Sequence, residues 1–119
     1  MEIIDAYHEY DRFQEIIMIE ETLQGQETFK IQLLAHHFDT ILSLLPIDNY
    51  EQNSVMYNYY RAQGWHDGKR ECNRIQEFND QLITLDGFVP IELIEGFNAI
   101  IQICSSALQN GNKLFIVLD

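Results

Sequence analysis

Basic residues are scarce in this chain, which carries seven Lys and Arg against nineteen Asp and Glu over 119 residues. The resulting net charge of −12 argues against a protein that binds nucleic acid directly, which would need a basic footprint. It also disfavours docking on an anionic membrane surface. A basic protein partner is favoured instead, although the same charge would also serve solubility alone.

Cysteine is nearly absent as well, since the chain holds only Cys72 and Cys104. Both fall on the apolar faces of predicted helices, so we expect two buried, reduced thiols. The chain does not open with the basic region and apolar run of a signal peptide. No apolar run approaches the length of a membrane span, and we therefore expect a cytoplasmic protein that does not engage a membrane.

The spacings that mark common catalytic and metal sites are missing. No His-x-x-x-His, His-Glu-x-x-His or Cys-x-x-Cys spacing predicts a metal site, and no Gly-rich loop predicts a phosphate site. No Gly-x-Ser-x-Gly predicts a nucleophilic serine. The adjacent His36 and His37 would diverge by about 100° on a helix, so they cannot easily share one ion. We expect a protein without catalytic residues, metal or cofactor.

Residues 1–24 fit either a helix or a strand, because short apolar runs carry no decisive period. We predict four elements in this region: a short helix near 2–11, a strand near 13–22, a turn at 24–26 and a second strand over 28–33. The two strands would form a hairpin. The alternative is one long N-terminal helix that ends at Gly25, followed by a second helix across 28–45.

The middle of the chain is predicted to be helical. A helical pattern over residues 35–45 ends at Pro46, because the residue before a proline avoids the helical conformation. Asp48 and Glu51 then resemble a capping box that would open a helix over about 49–62.

A further helix is predicted after Asp67, which could cap it. Its buried face would carry Cys72, Ile75, Phe78 and Leu82. Residues 82–85 are interpreted as a possible additional short strand. In that case residues 82–118 would form a strand–helix–strand unit.

The last thirty residues carry the clearest pattern. Pro90 suits the first turn of a helix, and Asn110-Gly111 supplies the left-handed residue that ends one. The predicted buried face consists of Ile91, Ile94, Phe97, Ile101, Cys104 and Leu108. Residues 114–118 are apolar on both faces, which predicts a buried strand. We therefore predict a single domain over residues 1–119 of α+β class, with three to five helices packed on a small, mainly antiparallel sheet.

The segment from Ile100 to Asp119, a helix followed by a Gly-containing turn and an apolar strand, resembles the end of barstar-type nuclease inhibitors. The chain departs from that family in its long acidic opening and in its single tryptophan, Trp65, so no functional residue is carried over. The resemblance implies a class of small, acidic, cytosolic α+β proteins that inhibit basic toxins. Many immunity proteins of bacterial competition systems have this character.

Charge is unevenly distributed along the chain. Residues 1–27 carry eight acids and one base, whereas residues 50–74 carry four of the seven bases. An acidic N-terminal face could meet a basic groove on another protein, although a solvated face would give the same pattern. Tyr and Trp are enriched at binding hot spots. The predicted partner-binding residues are Glu9, Asp11, Glu15, Glu20, Glu21, Tyr57 and Trp65.

These observations predict a binding protein and not an enzyme. Most concretely, we expect an immunity protein that binds a basic toxin such as a nuclease and places carboxylates where substrate phosphates would lie. Three alternatives stay open. They are a phage-encoded inhibitor of a host defence nuclease, a small enzyme with His36, His37 or His66 as acid or base, and a structural subunit of an oligomer paired through residues 114–118.

Overall fold

The structure, a computed structural model, describes residues 1–7, 12–52, 54–62 and 68–119. Within these ranges the strands are β1 (Glu2–Ala6), β2 (Glu15–Glu21), β3 (Glu27–Leu34), β4 (Lys69–Glu71) and β5 (Lys113–Leu118). The helices are α1 (Ala35–Ser43), α2 (Val55–Ala62), α3 (Ile75–Ile83) and α4 (Ile94–Asn110), and a 3₁₀ turn over Ile91–Leu93 leads into α4. The predicted α+β class is confirmed.

The five strands form one mixed sheet in the order β1-β3-β2-β5-β4. β2 pairs antiparallel with β3 and β5, and β4 pairs antiparallel with β5, whereas β1 joins β3 in parallel. The sheet is therefore mainly antiparallel, as predicted. The β2–β3 turn contains Gly25 at φ 90°, a conformation that glycine adopts without strain. This hairpin rules out the alternative of two long helices.

The predicted helix near residues 2–11 is wrong at its start, where the chain forms β1. Ile4 and Ala6 of this strand pack against the core and lie opposite Ile31 and Leu33 of β3. The apolar residues of β1 therefore pack in the sheet beside β3, which follows much later in the sequence. Residues 8–11 of the predicted helix lie outside the described part of the chain.

Helix α1 confirms the helix predicted over residues 35–45, but α2 begins at Val55 and not near residue 49. The capping side chain is Ser54, whose Oγ accepts a hydrogen bond from Tyr57 N at 3.0 Å. The predicted cap, Asp48, accepts a hydrogen bond from its neighbour Asn49 N at 2.7 Å instead. Asp48 therefore shapes the loop before the helix and does not open it.

The helix predicted after Asp67 starts later than expected, at Ile75. Residues 69–71 form β4, so Cys72 follows a strand and does not lie on a helix, while Asp67 itself lies outside the described residues. Residues 82–85 continue the end of α3, where Leu85 N donates to Leu82 O at 2.9 Å. The predicted strand at 82–85, and with it the strand–helix–strand unit, is therefore wrong.

Strand β5 confirms the predicted closing strand, but it lies inside the sheet. It is paired by β2 on one side and by β4 on the other. Residues 114–118 thus lack the free edge that the alternative of strand pairing across a dimer requires.

The buried apolar residues form one cluster that joins all four helices to one face of the sheet. The strands contribute alternate residues, among them Ile16, Met18, Phe29, Ile31, Leu33, Leu114 and Ile116. The buried residues of α4 are Gly96, Phe97, Ala99, Ile100, Ile103, Cys104 and Ala107. The buried face of α4 is therefore rotated from the predicted one, because Ile91 and Ile94 are exposed while Ile100 and Ile103 are not.

The helical segment Ile91–Asn110 is long and apolar enough to cross a membrane by length and composition, with a mean hydropathy of 1.3. This corrects the expectation that no segment reaches that length. Within the structure 44% of its most apolar window is buried. Phe97, Ile100, Ile103 and Cys104 belong to the hydrophobic core, whereas Ile91 and Ile94 are exposed.

Candidate partner-binding surfaces

Glu20, one of the predicted partner-binding residues, is completely buried on the core side of β2. Its carboxylate accepts hydrogen bonds from Ser106 Oγ at 2.5 Å, from Asn112 Nδ2 at 2.6 Å and from Asn110 Nδ2 at 3.2 Å. These donors replace the water that a carboxylate would otherwise need. Glu20 therefore fastens β2 to the end of α4 and is not accessible to a partner, which corrects the sequence prediction.

Glu21 is also nearly buried, and its carboxylate is occupied. Lys69 Nζ lies 3.0 Å from Glu21 Oε2, so this ion pair joins β2 to β4 across the intervening β5. The same ammonium group lies 4.5 Å from the ring centroid of Phe115 on β5. The Glu21 carboxylate is thus neutralised by an ion pair within the sheet and adds little to an acidic surface.

Glu15 begins β2 beside the last residue of the chain. Glu15 and Asp119 exchange two backbone hydrogen bonds, of 3.3 Å and 3.0 Å. Burial, a side-chain hydrogen bond to Asp119 and the charge of Asp119 raise the pKa of Glu15, while Lys30 opposes this shift. Of the predicted acids that the structure describes, Glu15 is the one that is partly exposed. Glu9 and Asp11 lie outside the described residues.

Tyr57 is the partly exposed aromatic residue of α2 that faces a cation. The guanidinium carbon of Arg61, one turn further along the helix, lies 5.9 Å from the Tyr57 ring centroid. Tyr59 and Tyr60 are turned towards the protein, because their hydroxyls donate to the backbone carbonyls of residues 39 and 45 at 3.1 Å and 2.7 Å. Trp65, the second predicted anchor, lies outside the described residues.

A second region of the chain combines exposed acids with a complete lack of bases. Residues 75–112, which include α3 and α4, contain no Lys, Arg or His, and their five acids are Glu77, Asp80, Asp86, Glu92 and Glu95. All but Glu77 are exposed. The sequence does contain a signal for this region, which is its lack of bases. The sequence prediction missed it because it considered the acids of the N-terminal segment.

Large apolar side chains are exposed among these acids. Ile83, Phe88, Ile91 and Ile94 are 51%, 80%, 85% and 41% exposed, respectively, and they lie at the end of α3, in the α3–α4 connection and at the start of α4. Clustered exposed apolar residues mark interaction sites more often than single ones do. We call the region formed by Ile83, Asp86, Phe88, Ile91, Glu92, Ile94 and Glu95 the α3–α4 surface.

Two small adjoining cavities open within this surface. One has a volume of about 160 Å³ and is lined in part by Ile83, and the other, of about 240 Å³, is lined in part by Ile94. Asp86, Phe97 and Asn98 contribute to both. The α3–α4 surface is therefore indented and offers places for individual side chains of a partner.

A larger, open cavity of about 670 Å³ lies where β2 and α1 begin. It is lined by Arg12, Phe13, Gln14, Leu34, Ala35, His36 and Asp39. A guanidinium, an imidazole and a carboxylate thus share one concave site. Burial and the neighbouring His36 lower the pKa of His37, and Glu92 opposes this shift. Within the described ranges, no group of three or more His, Cys, Asp and Glu is arranged to hold a metal ion.

Comparisons with known proteins give no relative from which to transfer a function, because no family model, curated protein or solved structure matches the chain. The resemblance of its last twenty residues to barstar-type inhibitors therefore stays a prediction. A functional interpretation must come from charge, exposure and geometry.

Proposed function

We propose that this protein is an inhibitor of the immunity type, which binds a basic toxin, most concretely a nuclease, and blocks its active site. The observation that carries the proposal is the α3–α4 surface, where exposed apolar side chains are surrounded by acids and residues 75–112 hold no base. Acids speed the encounter with a basic partner, and desolvated apolar side chains supply most of the affinity. The inhibitor would act in the cytoplasm and need no cofactor.

Inhibition would follow from occlusion. A nuclease binds its substrate through cationic side chains that face phosphates. Carboxylates such as Asp86, Glu92 and Glu95 would take the place of those phosphates while apolar contacts hold the complex together. A phage-encoded inhibitor of a host defence nuclease would use the same chemistry. The two kinds of inhibitor would differ in the nuclease that they bind.

The N-terminal acids have a smaller role in this proposal than the sequence predicts. Glu20 and Glu21 are committed to contacts within the fold. Glu9, Asp11 and Glu15, with Tyr57 and Trp65, stay candidates for a second contact region.

The test is affinity capture from a lysate of the source cells at low and at high salt, followed by mass spectrometry. We expect a basic partner that is retained at low salt and released at high salt. The captured partner is then assayed for nuclease activity with increasing amounts of the inhibitor, which should abolish activity at a one-to-one ratio. No basic partner at either salt, or a partner whose activity is unaffected, overturns the proposal.

A matched pair of variants locates the acidic contact. E92K/E95K reverses two acids of the α3–α4 surface, and E2K/E27K reverses two exposed acids elsewhere with the same change in net charge. Capture should fail for the first variant and persist for the second. Equal loss for both would assign the effect to net charge alone and would contradict a role for the α3–α4 surface.

A second candidate function, a small enzyme with His36 as acid or base, is favoured by the cavity that His36 shares with Arg12 and Asp39. A screen of ester, phosphate and nucleotide substrates tests it. Turnover that H36A abolishes and H37A leaves intact would favour this function. Absence of turnover across the screen would exclude it for these substrate classes.

A further inference from the structure

We infer that the α3–α4 surface is a docking site for an amphipathic helix of a partner protein, with apolar residues on one face of that helix and Lys or Arg beside them. This inference rests on the proposed function, because it names the part of the basic partner that docks here. Its evidence is the shape of the surface, the distribution of exposed apolar residues and the sign of the surrounding charge.

The shape of the surface favours side-chain recognition. Its two cavities, of about 160 and 240 Å³, are smaller than the roughly 300–1,000 Å³ of typical small-molecule sites. They suit single large side chains. The floor that they share, Phe97, is buried and packed in the hydrophobic core, so it cannot move aside to admit a larger ligand without disturbing that core.

The partner segment cannot dock here by adding a strand. The edges of the five-stranded sheet are β1 and β4, whereas the α3–α4 surface consists of two helix ends and their connection. Recognition at this surface therefore uses side chains of the partner and not backbone pairing. An amphipathic helix does this, because residues spaced three or four apart share one face and enter adjacent cavities together.

The negative charge of the α3–α4 surface favours Lys or Arg on the flanks of the partner helix. Asp86 lines both cavities, Glu92 is exposed in the 3₁₀ turn before α4, and Glu95 is exposed in the first turn of α4. Among the described residues that line the two cavities there is no Lys, Arg or His. Glu92 also acts on the His37 imidazole, whose pKa it raises against the lowering effects of burial and His36. Because exposed ion pairs contribute little each, the acids mainly set the rate of encounter and the choice of partner.

The experiment uses synthetic peptides and the full chain. The probe is a helical peptide of Leu and Lys in which Leu recurs at i, i+3, i+4 and i+7. One comparison peptide has Glu in place of every Lys, and another has the same composition in a shuffled order that destroys the apolar face. Binding is measured by fluorescence anisotropy at low salt, and contacts are mapped by NMR chemical-shift changes.

Matched double variants of the chain test the site. F88S/I91S removes the two most exposed apolar side chains of the α3–α4 surface, of which Phe88 adjoins cavity-lining residues in sequence and neither lines a cavity itself. L23S/I47S removes two side chains that lie elsewhere and are 68% and 85% exposed. Because all four side chains are exposed, neither variant should unfold the protein. We expect the Kd for the Leu/Lys peptide to rise about tenfold or more in F88S/I91S and to change by less than about twofold in L23S/I47S. The two comparison peptides should not bind measurably.

Several results would overturn the inference. They are equal weakening by both double variants, equal binding of a comparison peptide, and absence of binding by the Leu/Lys peptide. Lysate capture separates this inference from the proposed function. A basic partner retained equally by wild type and F88S/I91S overturns the docking site and leaves the inhibitor proposal standing. Specific peptide binding without any captured basic partner supports the docking site and overturns the inhibitor proposal.

Discussion

The hydroxyl of Ser106 donates a hydrogen bond to Glu20 Oε1 at 2.5 Å, although 86 residues separate the two in sequence. The bond joins β2 to the last turns of α4 in a region where Glu20 has no exposed surface. Asn110 and Asn112 donate to the other oxygen of the same carboxylate. A buried carboxylate is tolerated only where donors of this kind replace its hydration.

Replacing Glu20 with alanine should therefore destabilise the protein strongly. The change removes the hydrogen bonds that the buried carboxylate accepts from Ser106, Asn110 and Asn112. Because these donors are themselves only partly buried or exposed, we expect the free energy of unfolding to fall by about 2 kcal/mol. Urea denaturation followed by circular dichroism measures this loss. The control is Glu27→Ala, an exposed acid at the start of β3, which should change stability by less than about 0.5 kcal/mol. Similar losses for the two variants would contradict the structural role of Glu20.

Glu20 also shows why the candidate site was only partly predictable. In sequence Glu20 is adjacent to Glu21, and nothing local distinguishes the buried acid from an exposed one. Its burial depends on hydrogen-bond partners that lie 86, 90 and 92 residues away. The same reason applies to β1, whose parallel partner β3 follows only after β2. β4 is three residues long, too short for a hydrophobic period to identify it.

The elements that were predicted correctly depend on local chemistry. The β2–β3 hairpin follows from two apolar runs around Gly25, and the end of α4 follows from Gly111, which has φ 64°. The apolar face of α4 was placed incorrectly because Ile91 and Ile94 look like core residues in sequence but are exposed. The proposed docking role of the α3–α4 surface would account for this break in the core pattern.

The start of α2 offers a direct test of capping. Ser54→Ala removes the side-chain acceptor for Tyr57 N and should lower the free energy of unfolding by about 1 kcal/mol. Asp48→Ala, at the cap that the sequence predicted, should have a smaller effect because the Asp48 carboxylate accepts a hydrogen bond from its neighbour Asn49 N within the loop. Urea denaturation of both variants decides between the two positions. A larger loss for Asp48→Ala would contradict the observed helix start.

The Glu15 carboxyl predicts a specific pH dependence. Its pKa is raised above the ordinary value of 4.5, first by burial and then by Asp119, so the folded state binds this proton more tightly than the unfolded state does. Stability contributed by this group is therefore lost as the pH rises from the unfolded pKa through the folded one. Glu15→Gln should be more stable than wild type near pH 7, with the difference shrinking towards about pH 4.

Urea midpoints across this pH range measure the effect of Glu15→Gln. Glu27→Gln serves as the control, because it removes one negative charge from the same −12 chain at an exposed position. It reports how much relief of general repulsion contributes. Parallel pH profiles for the two variants would show that Glu15 has no special environment.

Cys72 and Cys104 should be chemically inert in the folded protein. Both thiols are buried, and burial raises the pKa of Cys72 to about 12 and also raises that of Cys104. Because the thiolate is the reactive form, neither residue should react with Ellman's reagent until the protein unfolds, and both should react at once in concentrated urea. Rapid reaction of either thiol under native conditions would contradict this packing. Since the two thiols are inaccessible, partner binding should be the same with and without reductant.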